Sequence, residues 1–334
     1  MQTNTYPEVD PRAIRAACDV LESGGLVAMP TETVYGLAAD ADNEKAVQKI
    51  FSAKKRPSTH PLIVHITGEE ALDSWAREIP QEAYTLVRKY WPGPLTIILK
   101  KSGRVGPWIT GGQDSVGLRC PSHPWAKALI KAFAGRTHRG IAAPSANSFG
   151  KISPTTAQHV IDDLGVKPLG KVDLVLDGGT CEVGVESTIL NLSSGTPELL
   201  RHGAITRAML EETLSCPIPD GTFSSPRASG SYKSHYAPNT KSILTPDVPG
   251  AISALSGKRY AVMSFKQPFD KTPKSVIAWY KAPDNPAEYQ HILYSQLHVM
   301  DKLGADILIF ESVPETDDWA AVNDRLTRAT ASHD

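Results

Sequence analysis

The chain has 334 residues, 41% of them hydrophobic and 21% charged, with a formal net charge of −1; this is an ordinary soluble globular composition, long enough for two domains, and it excludes a wholesale coat for nucleic acid. Residues 241–334 carry 10 Lys/Arg against 12 Asp/Glu, leaving 25 against 24 in residues 1–240, so any anion site must be local. Cys18, Cys120, Cys181 and Cys216 show no CxxC spacing, the polar start Met1–Asp10 has no apolar signal segment, and no apolar run approaches the roughly 20 residues of a membrane span; zinc, disulfide framework and membrane are set aside, and a reducing cytoplasm fits.

Asp10-Pro11 reads as cap and first position of a helix that stops at Gly24-Gly25, with Ile14, Ala17, Cys18 and Leu21 at helical spacing. Leu26–Met29 is a short buried strand ending in Pro30-Thr31-Glu32-Thr33-Val34-Tyr35-Gly36, where hydroxyls crowd a strand end. A helix over Asn43–Ala53 leads into Lys54-Lys55-Arg56-Pro57-Ser58-Thr59-His60-Pro61 and then a strand, Leu62–Ile66. The prolines keep that basic segment extended, and Arg and Lys suit phosphate oxygens.

Helices follow at Glu69–Ala76 and Gln81–Lys89, a rigid turn at Trp91–Pro94, and strands at Leu95–Leu99 and Val116–Arg119. Pro124–Ala134 reads as a helix, and Ile141–Ala143 as a strand ending in Pro144-Ser145-Ala146-Asn147. Ser153–Thr156 opens another helix, Asp173–Leu176 and Glu186–Leu192 are strands, and Thr206–Leu214 is a capped helix. Cys216–Thr240 is rich in Pro, Ser, Gly and Thr and reads as a linker, yet holds Tyr232, Lys233, His235 and Tyr236, which a plain spacer does not need. Beyond it come strands at Tyr260–Phe265, Val276–Trp279 and Ile307–Phe310, a long helix from about Pro286 to Leu303, and a closing helix near Trp319–Arg328. The alternation predicts α/β in both parts: a twisted mixed sheet in residues 1–215, a linker or lid over 216–240, and a smaller α/β domain over 241–334.

Gly165–Lys171 has P-loop spacing, but Val172 stands where Ser or Thr is needed and a strand follows in place of a helix. GxGxxG, HExxH and GxSxG are absent from the sequence. What recurs is polar and cationic residues at the ends of apolar strands: Thr31, Thr33 and Tyr35; Lys54 and Arg56; His65; Arg119; Ser145 and Asn147; Ser187 and Thr188. Ligands of open α/β sheets collect outside strand ends, so a shared face would make a cleft for an anion bearing phosphates and a carboxylate. Such a cleft suits phosphoryl or nucleotidyl transfer, with Mg²⁺ carried in by the nucleotide. Taken singly, each residue has a plainer reading: capping hydroxyls, a satisfied interior histidine at 65, a simple turn at 145–147, a surface arginine at 119.

Pro30–Leu37, Lys54–Pro57 with Pro61–His65, Ala143–Asn147 and Glu186–Thr188 resemble the YrdC-type fold and, in particular, the threonylcarbamoyl-AMP synthase family. His235-Tyr236-Ala237-Pro238 and Asn323-Asp324-Arg325-Leu326 resemble its long form, with a Rossmann-like second domain. The resemblance implies condensation of L-threonine, bicarbonate and ATP to threonylcarbamoyl-AMP and pyrophosphate, for later transfer to tRNA. It implies a catalytic tetrad of Lys54, Arg56, Ser145 and Asn147. It implies threonine binding by Thr33, His65, Arg119, Ala143 and Ser187. It implies ATP binding by Arg56, His60, Ser115, Ser145, Ser153, Arg201, His235 and Tyr236. Mg²⁺ arrives with ATP, no organic cofactor is expected, and no protein side chain is assigned to metal. Two positions depart from the family pattern: His60 replaces an Asn before Pro-Leu-Ile-Val, and Ser229-Gly230-Ser231 replaces a Pro-Gly start of the linker. The other readings are a non-catalytic RNA-binding module, which the charge balance disfavours, and carbamoyl-adenylate chemistry with another acceptor.

Overall fold

The computed structural model describes residues 6–230, 235–255, 257–267 and 273–331. Ser231, Tyr232 and Lys233 of the expected linker lie outside them. The chain forms two compact units, Met1–Phe149 with Ser153–Ser231, and Gly150–Ile152 with Tyr232–Asp334.

The first unit opens with α1 (Pro11–Glu22), capped by the Asp10 carboxylate on Arg12 N–H with Pro11 at the first position. Then come β1 (Val27–Met29), β2 (Gly36–Asp40), α2 (Glu44–Lys54) and β3 (Ile63–His65), followed by α3 (Leu72–Trp75), α4 (Gln81–Tyr90) and β4 (Leu95–Lys100). The middle of the unit holds α5 (Pro107–Thr110), β5 (Ser115–Arg119), α6 (Pro124–Ala134) and β6 (Ile141–Ala142). It closes with α7 (Ala157–Asp163), β7 (Leu174–Val175), β8 (Thr188–Asn191), β9 (Glu198–Arg201) and α8 (Arg207–Leu214). Among the described residues these strands make one nine-stranded mixed sheet, in the order β7-β1-β2-β6-β3-β5-β4-β8-β9. The helix expected over Glu69–Ala76 splits into a 3₁₀ turn at Glu69–Ala71 and α3.

Strand alternation sorts the side chains onto two faces. On one face, Leu37, Val64, Ile97, Leu99, Leu118 and Leu190 pack under α2, α3 and α4 in the main core. On the other, a second cluster joins α1 and α6 to Val27, Met29, Ala38, Ile141 and Ala143, so it takes in β1, β2 and β6. Over β3, β5, β4 and β8 the second face instead presents Ile63, Gly117, Thr96, Ile98 and Ile189, which line a groove. Residues 216–230 run with this unit: Ile218 is buried in the main core, and Leu199 N–H and Gly221 N–H close bonds with Pro219 and Leu199 carbonyls.

The second unit contains β10 (Ser242–Thr245), α9 (Val248–Ala254), β11 (Tyr260–Ser264), β12 (Val276–Lys281), α10 (Pro286–Asp301), β13 (Ile307–Glu311) and α11 (Ala320–Thr330). Its strands are all parallel, in the order β10-β13-β11-β12. Val248 and Ile252 of α9 pack on Tyr260, Val262, Ile307 and Ile309, the continuous apolar strands that parallel sheets require. No helix among the described residues is long and apolar enough to cross a membrane.

Candidate active site

The polar residues read from the sequence do not gather at one edge of the sheet. Lys54–Pro61 precedes β3 and Ser145–Asn147 follows β6, antiparallel to β3, so these lie at one end of the strands. His65 and Arg119 close β3 and β5 at the other end, and Ser187 enters β8 on that side as well. What the strand residues share is a face. His65 pairs in register with Arg119; both alternate with core residues Val64 and Leu118 and therefore point to the open side of the sheet. Ser115 and Thr96 share that side, and Arg201 is in register with Ile189 of the same groove.

Hydrogen bonds knit the loops onto this face. Ser187 Oγ meets Thr96 Oγ1 at 2.8 Å and accepts from Arg201 Nη2 at 3.1 Å. Arg201 also donates from Nε to the Ser187 carbonyl at 2.9 Å and from Nη1 to the Ser229 carbonyl at 3.1 Å. Arg56 Nη2 reaches the same Ser229, at its hydroxyl, at 3.3 Å, and the Pro61 carbonyl at 3.0 Å. Two guanidinium groups therefore converge on one short segment over the groove. Ser153 Oγ donates to the Glu186 carboxylate at 2.6 Å, one residue from Ser187.

Arg119 donates from Nη2 to Glu32 Oε1 at 2.7 Å, both side chains being almost wholly buried. The second Glu32 oxygen accepts from Ser122 N–H at 3.1 Å. Arg119 Nε is buried and makes no hydrogen bond among the described residues. Glu32 is a residue to which the sequence analysis assigns no role. Its pairing spans 87 residues and no local pattern announces it. Thr96 also joins the site, and a lone hydroxyl in the apolar strand Leu95–Leu99 is the signal for it.

Lys54 is 2% exposed, and its Nζ donates to the Ser145 and Asn147 carbonyls, each at 2.5 Å. Burial, then the neighbouring Arg56, pushes its pKa well down. The Asn147 amide donates to the Ser148 carbonyl at 2.9 Å, and Phe149 N–H returns to the Lys54 carbonyl at 2.8 Å, closing the loop on the helix end. His60 and the Arg56 guanidinium both meet the Phe149 ring, at 5.3 and 5.8 Å between centres. Desolvation lowers the His60 pKa to about 4 and the His65 pKa to about 3, so both rings are neutral near pH 7.

Other assignments fall differently. Thr33 Oγ1 lies 2.9 Å from Thr31 Oγ1, and Thr31 Oγ1 in turn donates to the Val34 carbonyl at 2.6 Å. Thr188 Oγ1 likewise bonds the Ile205 carbonyl. Ala143 sits in the cluster under α1 and α6, and its N–H is used by the Ile63 carbonyl. His235 and Tyr236 belong to the second unit, where the Tyr236 ring packs tilted against Tyr294 and the residue takes a left-handed φ of 62°.

The Sua5/YciO/YrdC family model, described as telomere recombination, matches residues 19–203, and a model described as threonylcarbamoyl-AMP synthase, C-terminal domain, matches residues 205–331. A curated protein named threonylcarbamoyl-AMP synthase from Pyrococcus abyssi is 38% identical over 98% of this chain and 96% of its own length. One of the same name from Bacillus subtilis is 37% identical over 96% and 93%. A crystal structure of P. abyssi Sua5 complexed with L-threonine superposes with a TM-score of 0.87 at 36% identity, covering 97% of this chain and 96% of the other.

Proposed function

Starting from the fact that this chain belongs to the threonylcarbamoyl-AMP synthase family, we propose how the open face of its first sheet carries out the reaction. The activity is synthesis of threonylcarbamoyl-AMP, a nucleotidyl transfer that serves tRNA modification. The substrates in this reading are L-threonine, bicarbonate and ATP with its Mg²⁺. Threonine and bicarbonate give a carbamate with loss of water. A carbamate oxygen then attacks the α-phosphorus, a new O–P bond forms, the bond to the β-phosphate oxygen breaks, and pyrophosphate leaves.

Arg119 takes the threonine carboxylate in this scheme. Glu32 fixes one side of the guanidinium, whose Nε has no partner among the described residues, so the group keeps donor capacity for a carboxylate, a charge-assisted bond in a water-poor site. His65 and Ser187, on the same face, flank it as neutral hydrogen-bonding groups, and Thr33 follows Glu32, the Arg119 partner, in sequence. Arg56 and Arg201, drawn together at Ser229, hold the phosphates and stabilise charge on the departing pyrophosphate. Ser145, Asn147, Ser115, Ser153 and His60 complete the nucleotide contacts. Lys54 acts through the Ser145–Asn147 loop that its ammonium clamps. The nearby carboxylates Glu32 and Glu186 accept bonds from Arg119, Ser122 and Ser153; Mg²⁺ would enter this reading with ATP.

The observation that carries the reading is the shared face of His65, Arg119, Ser187 and Arg201. The test is pyrophosphate release from ATP with bicarbonate and Mg²⁺. Release should require L-threonine and fall by about a hundredfold or more in Arg56→Ala; release indifferent to threonine would point to another acceptor.

A further inference from the structure

One cavity of the first unit belongs to none of the groups above. It measures about 490 Å³, within the range of small-molecule sites, and opens beyond the ends of β3 and β5. Ile66 and Cys120 form its floor, each one residue past His65 and Arg119. Ile66 N–H still bonds the Arg119 carbonyl at 2.9 Å, so the ladder continues. The side chains at 66 and 120 therefore turn away from the face that carries His65 and Arg119. None of the residues assigned to the proposed reaction site lines the cavity, although α6, one of its walls, packs on the same side of the sheet.

Its chemistry has three parts. Ile66, Cys120, Ile130 and Ala134 give it an apolar, fully buried base. Lys127 and Lys131, one turn apart on α6, stand exposed at the rim, and neither has an ion pair among the described residues. Glu70 is the one acidic residue lining it. Deep inside, Thr67 Oγ1 is shut off from solvent and has no hydrogen-bond partner among the described residues, while the Cys120 thiol donates to the Thr67 carbonyl at 3.1 Å. Burial pushes that thiol up to about 11, so it offers no thiolate to a metal.

We propose that this cavity is a second binding site, for a small organic anion. Its acid group would sit between Lys127 and Lys131, and its apolar body would fill the space over Ile66, Cys120, Ile130 and Ala134. Two unpaired cations at the mouth and an apolar floor below select an amphipathic anion over a neutral or cationic one.

The probe is 1-anilinonaphthalene-8-sulfonate, a sulfonate on an apolar body, titrated by fluorescence into the folded full-length chain. The expected result is saturable one-site binding. It should weaken about tenfold or more in the Lys127→Glu/Lys131→Glu variant and be lost in Ala128→Trp, which fills the cavity from α6. Both variants should keep threonine-dependent turnover. Should Ala128→Trp fail to fold, the exposed lysine pair decides alone. Dye affinity that is unmoved by the lysine changes, or the absence of saturable binding by the native chain, would overturn the proposal.

Discussion

Lys54 spends its ammonium on two backbone carbonyls, and this decides what its loss should do. Lys54→Met keeps the length of the side chain but strips donors from the Ser145 and Asn147 carbonyls. The fold should lose about 1–3 kcal/mol, the usual cost of buried groups left unpaired. A loosened Ser145–Asn147 loop should lower kcat by about tenfold or more while the threonine KM holds. A melting curve with steady-state kinetics checks both, and a raised KM at constant kcat would mean that Lys54 touches threonine instead. The histidines give a second prediction. His60 and His65 titrate near 4 and 3 in the folded chain, against about 6.5 when unfolded. Between pH 6.5 and those values the unfolded chain binds more protons, so stability should fall on acidification and show no slope from these groups above pH 6.5. Urea midpoints at pH 7.5, 6.0 and 5.0 measure this, and His65→Gln should flatten the acid limb.

At the scale of elements, the cationic loop is held from outside by a glycine. Gly111 has a φ of +59°, and a Cβ there would lie 2.2 Å from the Thr59 carbonyl oxygen. The Leu62 N–H to Ile109 carbonyl bond, 2.8 Å, ties the same two segments. Gly111→Ala should therefore cost about 1–3 kcal/mol and displace Thr59 and His60, raising the ATP KM. An unchanged ATP KM would show that the loop tolerates the shift. The basic loop and the strand after it were legible in sequence because an apolar run between prolines has few other readings. Strand β2 was not: Gly36-Leu37-Ala38-Ala39-Asp40 is poor in β-branched residues and is a strand only because β1 and β6 pair with it. The site residues were legible as types, since hydroxyls and cations recurred beside strands. Their common face was not, because it follows from the register between His65 and Arg119 and between Ile189 and Arg201, which no single segment encodes.

At the scale of the molecule, each unit buries its own apolar cluster, and the proposed threonine groups all lie in the first. Residues 216–230 belong with them, through Ile218 in the core and Ser229 between Arg56 and Arg201. A fragment of residues 1–230 should therefore fold and bind L-threonine in calorimetry, whereas one ending at 215 should bind ATP much more weakly; equal ATP affinity in the two would remove Ser229 from the account. The most direct test of the central claim is the product itself. The full chain, given ATP, Mg²⁺, L-threonine and ¹³C-bicarbonate, should yield a threonine-containing adenylate that carries one ¹³C by mass spectrometry, and Arg119→Gln should need far more threonine to form it. An adenylate without the label, or one formed without threonine, would contradict the account.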